Sequence, residues 1–408
     1  MHKVMIILNR LVVGGTAINL VNMTLALKEH FNIVLVTGAK EEDEMEITYL
    51  KDMLKDISRI HIHALKRNIG VIQDTKALYG LIHIIRKERP DIVHTIGAKP
   101  GFLGRLAARM CKVPVIIHAY HGHVFHSYFS PLISRTIIGL ERLAATWTTC
   151  IISVSEKQRN ELRQTYRVVR DQMLIHIPIG IKQGDFQDHD GRKRQIFRAK
   201  YLLEEEEIAI AIVGRIVPIK NHLLFLKMAL HIAAQSQGKA RFFVIGDGKK
   251  LRKKLERYLK RQHADYTYFP EDARKSLITF TSWITAMDLP MAGVDIVVLT
   301  SLNEGTPVSV IEAEAAGKPV VATRVGAIEE VMINNVSGFI CGLDEPEDLT
   351  VKLLRLIQDP VLRKAMGDAG KKHIAGKYTL EKQITSMQQL YSTLIIKSQP
   401  QTANAVIQ

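Results

Sequence analysis

Short, wholly apolar runs alternate with helical stretches from one end of this chain to the other, and that rhythm limits its fold more than any other feature. In the first half the runs lie at residues 4–8, 33–36, 92–94, 115–117 and 150–153, with helical patterns at 17–29, 74–87 and 101–111. Strands that are apolar on both faces belong to parallel sheets, where crossover helices cover both sides. A polar, glycine-containing stretch follows, and the rhythm restarts. Strands are expected at 208–213, 242–245, 278–281, 295–300 and 320–323, and helices at 222–234 and 249–262. A chain of 408 residues exceeds one ordinary core. The expectation is an α/β protein with two Rossmann-like, doubly wound domains facing across a cleft. The first domain would span residues 1–181, a linker 182–194 and the second domain 195–376. An amphipathic helix at 377–397 would pack back on the first domain, and 398–408 would form a disordered tail.

Composition removes several classes. A 47% hydrophobic content is incompatible with a disordered chain. A net charge of +15 and a pI near 9.6 favour polyanionic partners: phosphate-bearing substrates, anionic lipid or nucleic acid. The excess is concentrated in residues 99–170, with eleven basic and three acidic side chains. Cys111, Cys150 and Cys341 stand far apart without a C-x-x-C, as expected of a reduced, cytoplasmic chain. The apolar N-terminus is broken by Asn9, Arg10 and Gly14-Gly15, so it reads as a buried strand and helix and not as a signal peptide. Residues 113–134 carry no formal charge, but four histidines and two prolines make them a poor membrane span.

The most specific chemistry lies in Ser301-Leu-Asn-Glu-Gly-Thr-Pro-Val-Ser-Val-Ile-Glu312, between one strand and the next. Thr306 suits an N-cap, Pro307 the first helical position and Gly317 the C′ position. Val308 and Ser309 then carry free N–H groups in the first turn, which with the helix dipole make a site for a phosphate. Glu304 stands at the carboxyl end of a strand, where open α/β sheets bind ligands. Glu312 suits hydrogen bonds to a ribose diol.

Other loops supply complementary groups. Arg215 and Lys220 occupy the strand-to-helix connection Val213-Gly-Arg-Ile-Val-Pro-Ile-Lys-Asn221, and arginine offers a bidentate fork to a diphosphate. Gly246 sits in the glycine turn Val244-Ile-Gly-Asp-Gly248. Gly14-Gly15-Thr16 ends the first strand, where glycine lets a backbone approach a ligand closely. No Gly-Lys-Ser/Thr follows, so it is not a Walker A loop. Ile117-His-Ala-Tyr-His-Gly-His-Val-Phe125 places His121 just past a strand, with His123 and His126 on the same loop.

Together these motifs resemble the retaining glycosyltransferases of family 4, of the bacterial polysaccharide-biosynthesis type, which have the GT-B fold. The resemblance extends along most of the chain. It implies transfer of a hexose from a nucleotide-diphosphate sugar, a UDP-sugar above all, to a saccharide or lipid-linked acceptor, with retention. It places the donor in the second domain. Arg215, Lys220 and the Val308 and Ser309 N–H groups would hold the diphosphate, with Gly14, Gly15, Gly246 and Thr306 alongside. Trp283 would border the base, Glu312 the ribose and Glu304 the sugar. His121 would orient that sugar from the first domain, and His123 and His126 would serve the acceptor. The implied catalytic set is His121, Glu304, Arg215 and Lys220, with no cofactor and no metal. Two positions depart from the family pattern. Glu314 stands where an uncharged residue is more usual, and would alter donor choice or face solvent. Ala327 replaces a usual glycine.

Rival readings are weaker. Asp188-His-Asp190 is a metal-binding DxD by letter only, since it falls in the linker and not at a strand end. A histidine metal site lacks a second cluster of ligands. An epimerase of the same fold would lack an acceptor surface. A nucleic-acid-binding protein would want a basic stripe with interleaved aromatics, which are only 6% here. The basic first domain suggests instead an anionic membrane surface as partner, held peripherally at the inner face of the plasma membrane, with Arg105, Arg109 and Lys112 facing lipid.

Overall fold

The computed structural model describes residues 1–12, 14–39, 52–66, 70–122, 125, 130–169, 173–235 and 238–399. Two seven-stranded parallel sheets organise them. The first holds β1 (Lys3–Leu8), β2 (Asn32–Gly38), β3 (Ser58–Ile62), β4 (Ile92–Ile96), β5 (Val115–Tyr120), β6 (Cys150–Ser153) and β7 (Met173–His176), in the order β3-β2-β1-β4-β5-β6-β7. The second holds β8 (Ile208–Val213), β9 (Ala240–Ile245), β10 (Tyr266–Tyr268), β11 (Ile278–Ser282), β12 (Ile296–Leu299), β13 (Val320–Thr323) and β14 (Gly338–Cys341), in the order β10-β11-β9-β8-β12-β13-β14.

The alternation of side chains explains the double covering. Val4, Ile6 and Leu8 of β1 turn to one face and join Leu20 and Leu27 of the helix Gly15–Leu27. Met5 and Ile7 turn to the other and join Ala77 and Leu81 of the helix Val71–Glu88. The strands not expected from sequence are β3, β7, β10 and β14, and all four are sheet edges. β3 is largely exposed and β10 is three residues long, so neither presents a continuous apolar run.

The polar stretch 182–194 is docked on the second domain. It contains the 3-10 turn Gln183–Phe186 and enters the helix Arg192–Lys200. Lys193 pairs with Asp288 at 3.0 Å and Arg194 with Asp295 at 2.8 Å. The chain crosses between domains twice, and Ile181 and Thr379 lie side by side in a parallel bridge. Asn19 Nδ2 donates there to both the Gly180 carbonyl and Gln383 Oε1, each at 2.7 Å. The last helix, Leu380–Ser398, is capped by Thr379. It inserts Met387, Leu390, Tyr391, Leu394 and Ile395 into the first domain's core, and Tyr391 Oη lies 2.6 Å from His94 Nδ1. Residues 400–408 of the expected tail lie outside the described residues.

Candidate active site in the interdomain cleft

The strand order reverses between β1 and β4 in the first sheet and between β8 and β12 in the second. Ligand sites of open α/β sheets form outside the carboxyl ends of strands at such points. Here the two points face each other, and their loops enclose a cavity of about 520 Å³. Gly14, Gly15, His121, Arg215, Lys220, Gly246, Trp283, Glu304, Thr306, Val308, Ser309 and Glu312 all line it. His123 and His126 lie outside the described residues.

The helix Val308–Ala315 supplies one wall. Thr306 is not its cap, contrary to the sequence expectation. Pro307 is the boundary residue and no side chain caps the helix. Thr306 Oγ1 instead donates across the cleft to the Val154 carbonyl at 3.0 Å. A cap would have occupied an N–H of the first turn, whereas here the turn keeps its donors for another acceptor. Gly15 meets this terminus from the opposite domain, where an added Cβ would lie 3.0 Å from Val308 Cβ.

Lys220 and Glu304 form one unit. Lys220 Nζ lies 2.5 Å from Glu304 Oε1, which also accepts Ser301 Oγ at 2.5 Å. The Glu304 loop is held from behind by the Ala327 N–H, which donates to the Gly305 carbonyl at 2.9 Å. Gly326, at φ +52°, packs so closely that a Cβ would lie 2.3 Å from the Glu304 carbonyl. Ala327 itself has φ −90°, which an L residue adopts freely, so this departure from the family pattern costs nothing.

The two glutamates of the helix differ. Glu312 is partly exposed in the cleft wall, and burial pushes its carboxyl up to about 8. Glu314 is wholly buried, so it does not face solvent as expected, and it does not line the cleft. Its Oε1 accepts Ser337 Oγ at 2.6 Å, and its side chain packs on Gly370 of the helix Pro360–Ile374. Burial also pushes it up to about 8.

The first domain supplies the facing wall. His121 is lowered to about 4 by burial and is therefore a neutral imidazole at pH 7. Its Nδ1 is buried and has no hydrogen-bond partner among the described residues. The loops of the two domains touch here backbone to backbone. A Cβ on Gly305 would lie 2.6 Å from the His121 carbonyl and 3.0 Å from Gly122 Cα. On the rim, Glu330 accepts the N–H groups of Glu156 and Lys157 of the other domain at 2.9 and 2.7 Å.

Sequence reasoning missed a buried polar cluster on this side. Glu141 Oε2 accepts Arg105 Nη2 at 2.6 Å and Tyr120 Oη at 2.5 Å, and His118 Nδ1 lies 2.9 Å from Thr95 Oγ1. Glu141, Tyr120 and His118 also line the cleft. No spacing signal in the sequence joins them. Arg105 is fully buried, so it cannot face lipid as expected, whereas Arg109 and Lys112 are exposed. Trp283 lines the cleft and packs against the first domain's core cluster.

Asp188 and Asp190 are occupied structurally. Asp188 accepts the N–H groups of Lys193 and Arg194, and Asp190 that of Arg192, at the start of the helix Arg192–Lys200. Among the described residues no three His, Cys, Asp or Glu side chains group as metal ligands. No described helix is long and apolar enough to cross a membrane.

Two parallel α/β domains with their switch points facing across such a cleft have the GT-B architecture. Residues 193–373 match the family Glycosyl transferases group 1 and residues 13–182 match Glycosyltransferase Family 4, and the chain belongs to this group of glycosyltransferases. It is 28% identical over 386 residues, 94% of each chain, to the UDP-Gal:alpha-D-GlcNAc-diphosphoundecaprenol alpha-1,3-galactosyltransferase of Escherichia coli. It is 24% identical to the capsular polysaccharide biosynthesis glycosyltransferase CapM of Staphylococcus aureus, over 83% of this chain and 86% of that one. Among solved structures, HepE of Anabaena in complex with UDP and glucose superposes with a TM-score of 0.78 at 16% identity, covering 96% of this chain and 100% of that one. At that identity the likeness establishes the fold.

Proposed function

We propose that this glycosyltransferase moves a hexose from a UDP-sugar to a saccharide or lipid-linked acceptor, with retention and without a metal, in the synthesis of a cell-surface polysaccharide or glycolipid. The observation that carries the reading is the convergence, in one cleft, of an uncapped helix N-terminus, Arg215, the Lys220–Glu304 pair and Glu312 from one domain with His121 from the other. The N–H groups of Val308 and Ser309, Arg215 and Lys220 stabilise the leaving diphosphate as its charge develops. Glu312 holds the ribose. Glu304, anchored by Lys220, contacts the sugar. His121, a neutral imidazole whose Nδ1 has no partner among the described residues, orients the sugar from the first domain. The clasped loops at Gly122 and Gly305 exclude water and limit donor hydrolysis.

The E. coli relative acts on an undecaprenol-linked sugar, and its name carries a UDP-Gal donor. Those words support a UDP-sugar and a polyprenyl-linked acceptor here. The enzyme would work in the cytoplasm, held peripherally at the inner face of the plasma membrane.

The test is UDP release from a panel of UDP-sugars, with and without a polyprenyl-diphosphate-linked sugar. Acceptor-dependent release with an α-configured product from an α-linked donor is expected. Acceptor-independent conversion of the free UDP-sugar would identify an epimerase instead. Activity should persist in excess EDTA, and full loss rescued by Mn²⁺ or Mg²⁺ would overturn the metal-free reading.

A further inference from the structure

Two elements of the first domain bring a carboxylate, a phenol and an imidazole to one stretch of the cleft wall. Glu141 comes from the helix Pro131–Ala145, and Tyr120 and His118 come from one face of β5. All three are buried, yet all three line the cleft. Each is held from behind. Arg105 Nη2 and Tyr120 Oη both donate to Glu141 Oε2, at 2.6 and 2.5 Å, so Oε1 is left without a hydrogen-bond partner among the described residues. Arg105 is fixed in turn by its Nε–H, which donates to the Gly101 carbonyl at 2.7 Å. Thr95 donates its hydroxyl to the Ile117 carbonyl at 3.2 Å and therefore accepts from His118 Nδ1 at 2.9 Å. His118 Nε2 then carries a lone pair. Burial, with Arg105 nearby, holds that imidazole well below its usual range, so it stays neutral. His118 also rests on Gly101 of the helix Ala98–Met110, where an added Cβ would collide with its Cε1.

A buried Arg–Glu pair is often no more stabilising than well-packed apolar side chains of the same volume. Packing alone therefore gives no reason for this pair to stand in a cleft wall, whereas a polar ligand does. We propose that Glu141, Tyr120 and His118 form the subsite for the acceptor's sugar ring and select an uncharged one, whose hydroxyl or amide N–H groups donate to Glu141 Oε1 and His118 Nε2. This rests on the saccharide acceptor proposed above. The Tyr120 hydroxyl spends its proton on Glu141, so the atoms the wall offers to a ligand are acceptors. A neutral sugar ring supplies the matching donors. A uronic acid or a sugar phosphate would instead set an anion and its lone pairs against the Glu141 carboxylate. Arg105 does not relieve that repulsion for the ligand, because it lies fully buried behind Glu141 and does not line the cleft.

The experiment is steady-state transfer by the full chain, from the UDP-sugar that supports the fastest UDP release, to two acceptor sets on one short alkyl-diphosphate carrier. One set bears neutral hexoses and N-acetylhexosamines, and the other bears the matching hexuronic acids. The wild type should favour the neutral set by about tenfold or more in kcat/KM. Glu141→Gln should raise the KM for the neutral acceptor about tenfold and shrink that preference, with UDP affinity within about twofold. A merely structural role would lower transfer to both sets alike and leave the preference in place. Glu141→Gln alone strands the Arg105 charge in the interior. Arg105→Met combined with Glu141→Gln removes both charges, and it should lose the preference in the same way if a thermal melt shows the single variant unfolded. Tyr120→Phe keeps the ion pair and should raise the acceptor KM severalfold without changing UDP affinity. Equal use of uronic acids and neutral sugars by the wild type would overturn the proposal, and so would full retention of the preference in the folded Glu141 variant. Transfer by the wild type to neither set would sink the saccharide-acceptor reading, and the subsite with it.

Discussion

Gly305→Ala isolates the clasp between the two domains. The added Cβ would lie 2.6 Å from the His121 carbonyl, against an ordinary contact of at least 3.4 Å, so the loops must part by about 0.8 Å. Both obstructing groups, that carbonyl and Gly122 Cα, are backbone atoms, so no side-chain rotation relieves the contact. The displacement falls between Glu304 and His121, the groups assigned to the sugar. Misplacement of reacting groups by about 1 Å costs on the order of 10²-fold in rate, so kcat should fall by roughly one to two orders of magnitude. Nucleotide affinity should change by less than about threefold, or under roughly 0.7 kcal/mol, because the phosphate-binding helix and Arg215 stay in their own domain. The assay is UDP release at saturating donor and acceptor, with UDP affinity from calorimetry and folding from a thermal melt. A folded variant with kcat within about twofold of wild type would refute the claim that this contact sets the catalytic geometry.

Arg215→Ala and Lys220→Ala should each lower kcat/KM by about 10²- to 10³-fold, checked by steady-state kinetics, since each removes a cation from the developing diphosphate. Near-normal turnover in both would remove the diphosphate assignment. Glu312→Ala should raise the UDP Kd more than it lowers kcat, and Glu304→Gln should do the reverse while also weakening the hold on Lys220, since it removes the charge of the pair. Equal effects on UDP affinity would contradict that division. Stability should fall as pH rises from 6.5 to 8. Glu312 and Glu314, raised from 4.5 to about 8, keep protons in the folded chain that the unfolded chain has already lost. Their contribution is fully present below 4.5 and is lost as pH rises through 8. Below 6.5 the buried histidines His94 and His222, lowered to about 3, act in the opposite sense, which limits the clean window. The limiting slope is about 1.4 kcal/mol per pH unit for each group. Thermal melts of Glu314→Gln should show a visibly flatter pH dependence over that window, and an unchanged slope would contradict the buried, neutral state of Glu314.

Periodicity and turn chemistry are local properties, and the local part of this protein was legible from them. Runs such as Val-Met-Ile-Ile-Leu had to be central parallel strands, because only burial on both faces accommodates them. Strand-end loops carrying Arg215, Lys220, Glu304 and His121 followed, because open sheets place ligand sites at their carboxyl ends. The edge strands β3, β7, β10 and β14 escaped because an edge needs no continuous apolar run. Thr306 was misjudged because Thr-Pro before a helix is a cap in isolation. Only the neighbouring domain supplies the Val154 carbonyl that takes its hydroxyl instead. Glu314 was misjudged for a related reason: a carboxylate on a short helix is legible as exposed until a second helix, at Gly370, is packed over it. The residue types and their order along the chain thus determined the two domains and the cleft, and the family resemblance pointed to most of its lining. The pairing of Lys220 with Glu304, the Arg105–Glu141–Tyr120 cluster and the meeting of Gly305 with Gly122 were decided only by tertiary structure. Each depends on contacts between segments distant in sequence, and burial and distance across such contacts are set by packing, which no local pattern encodes.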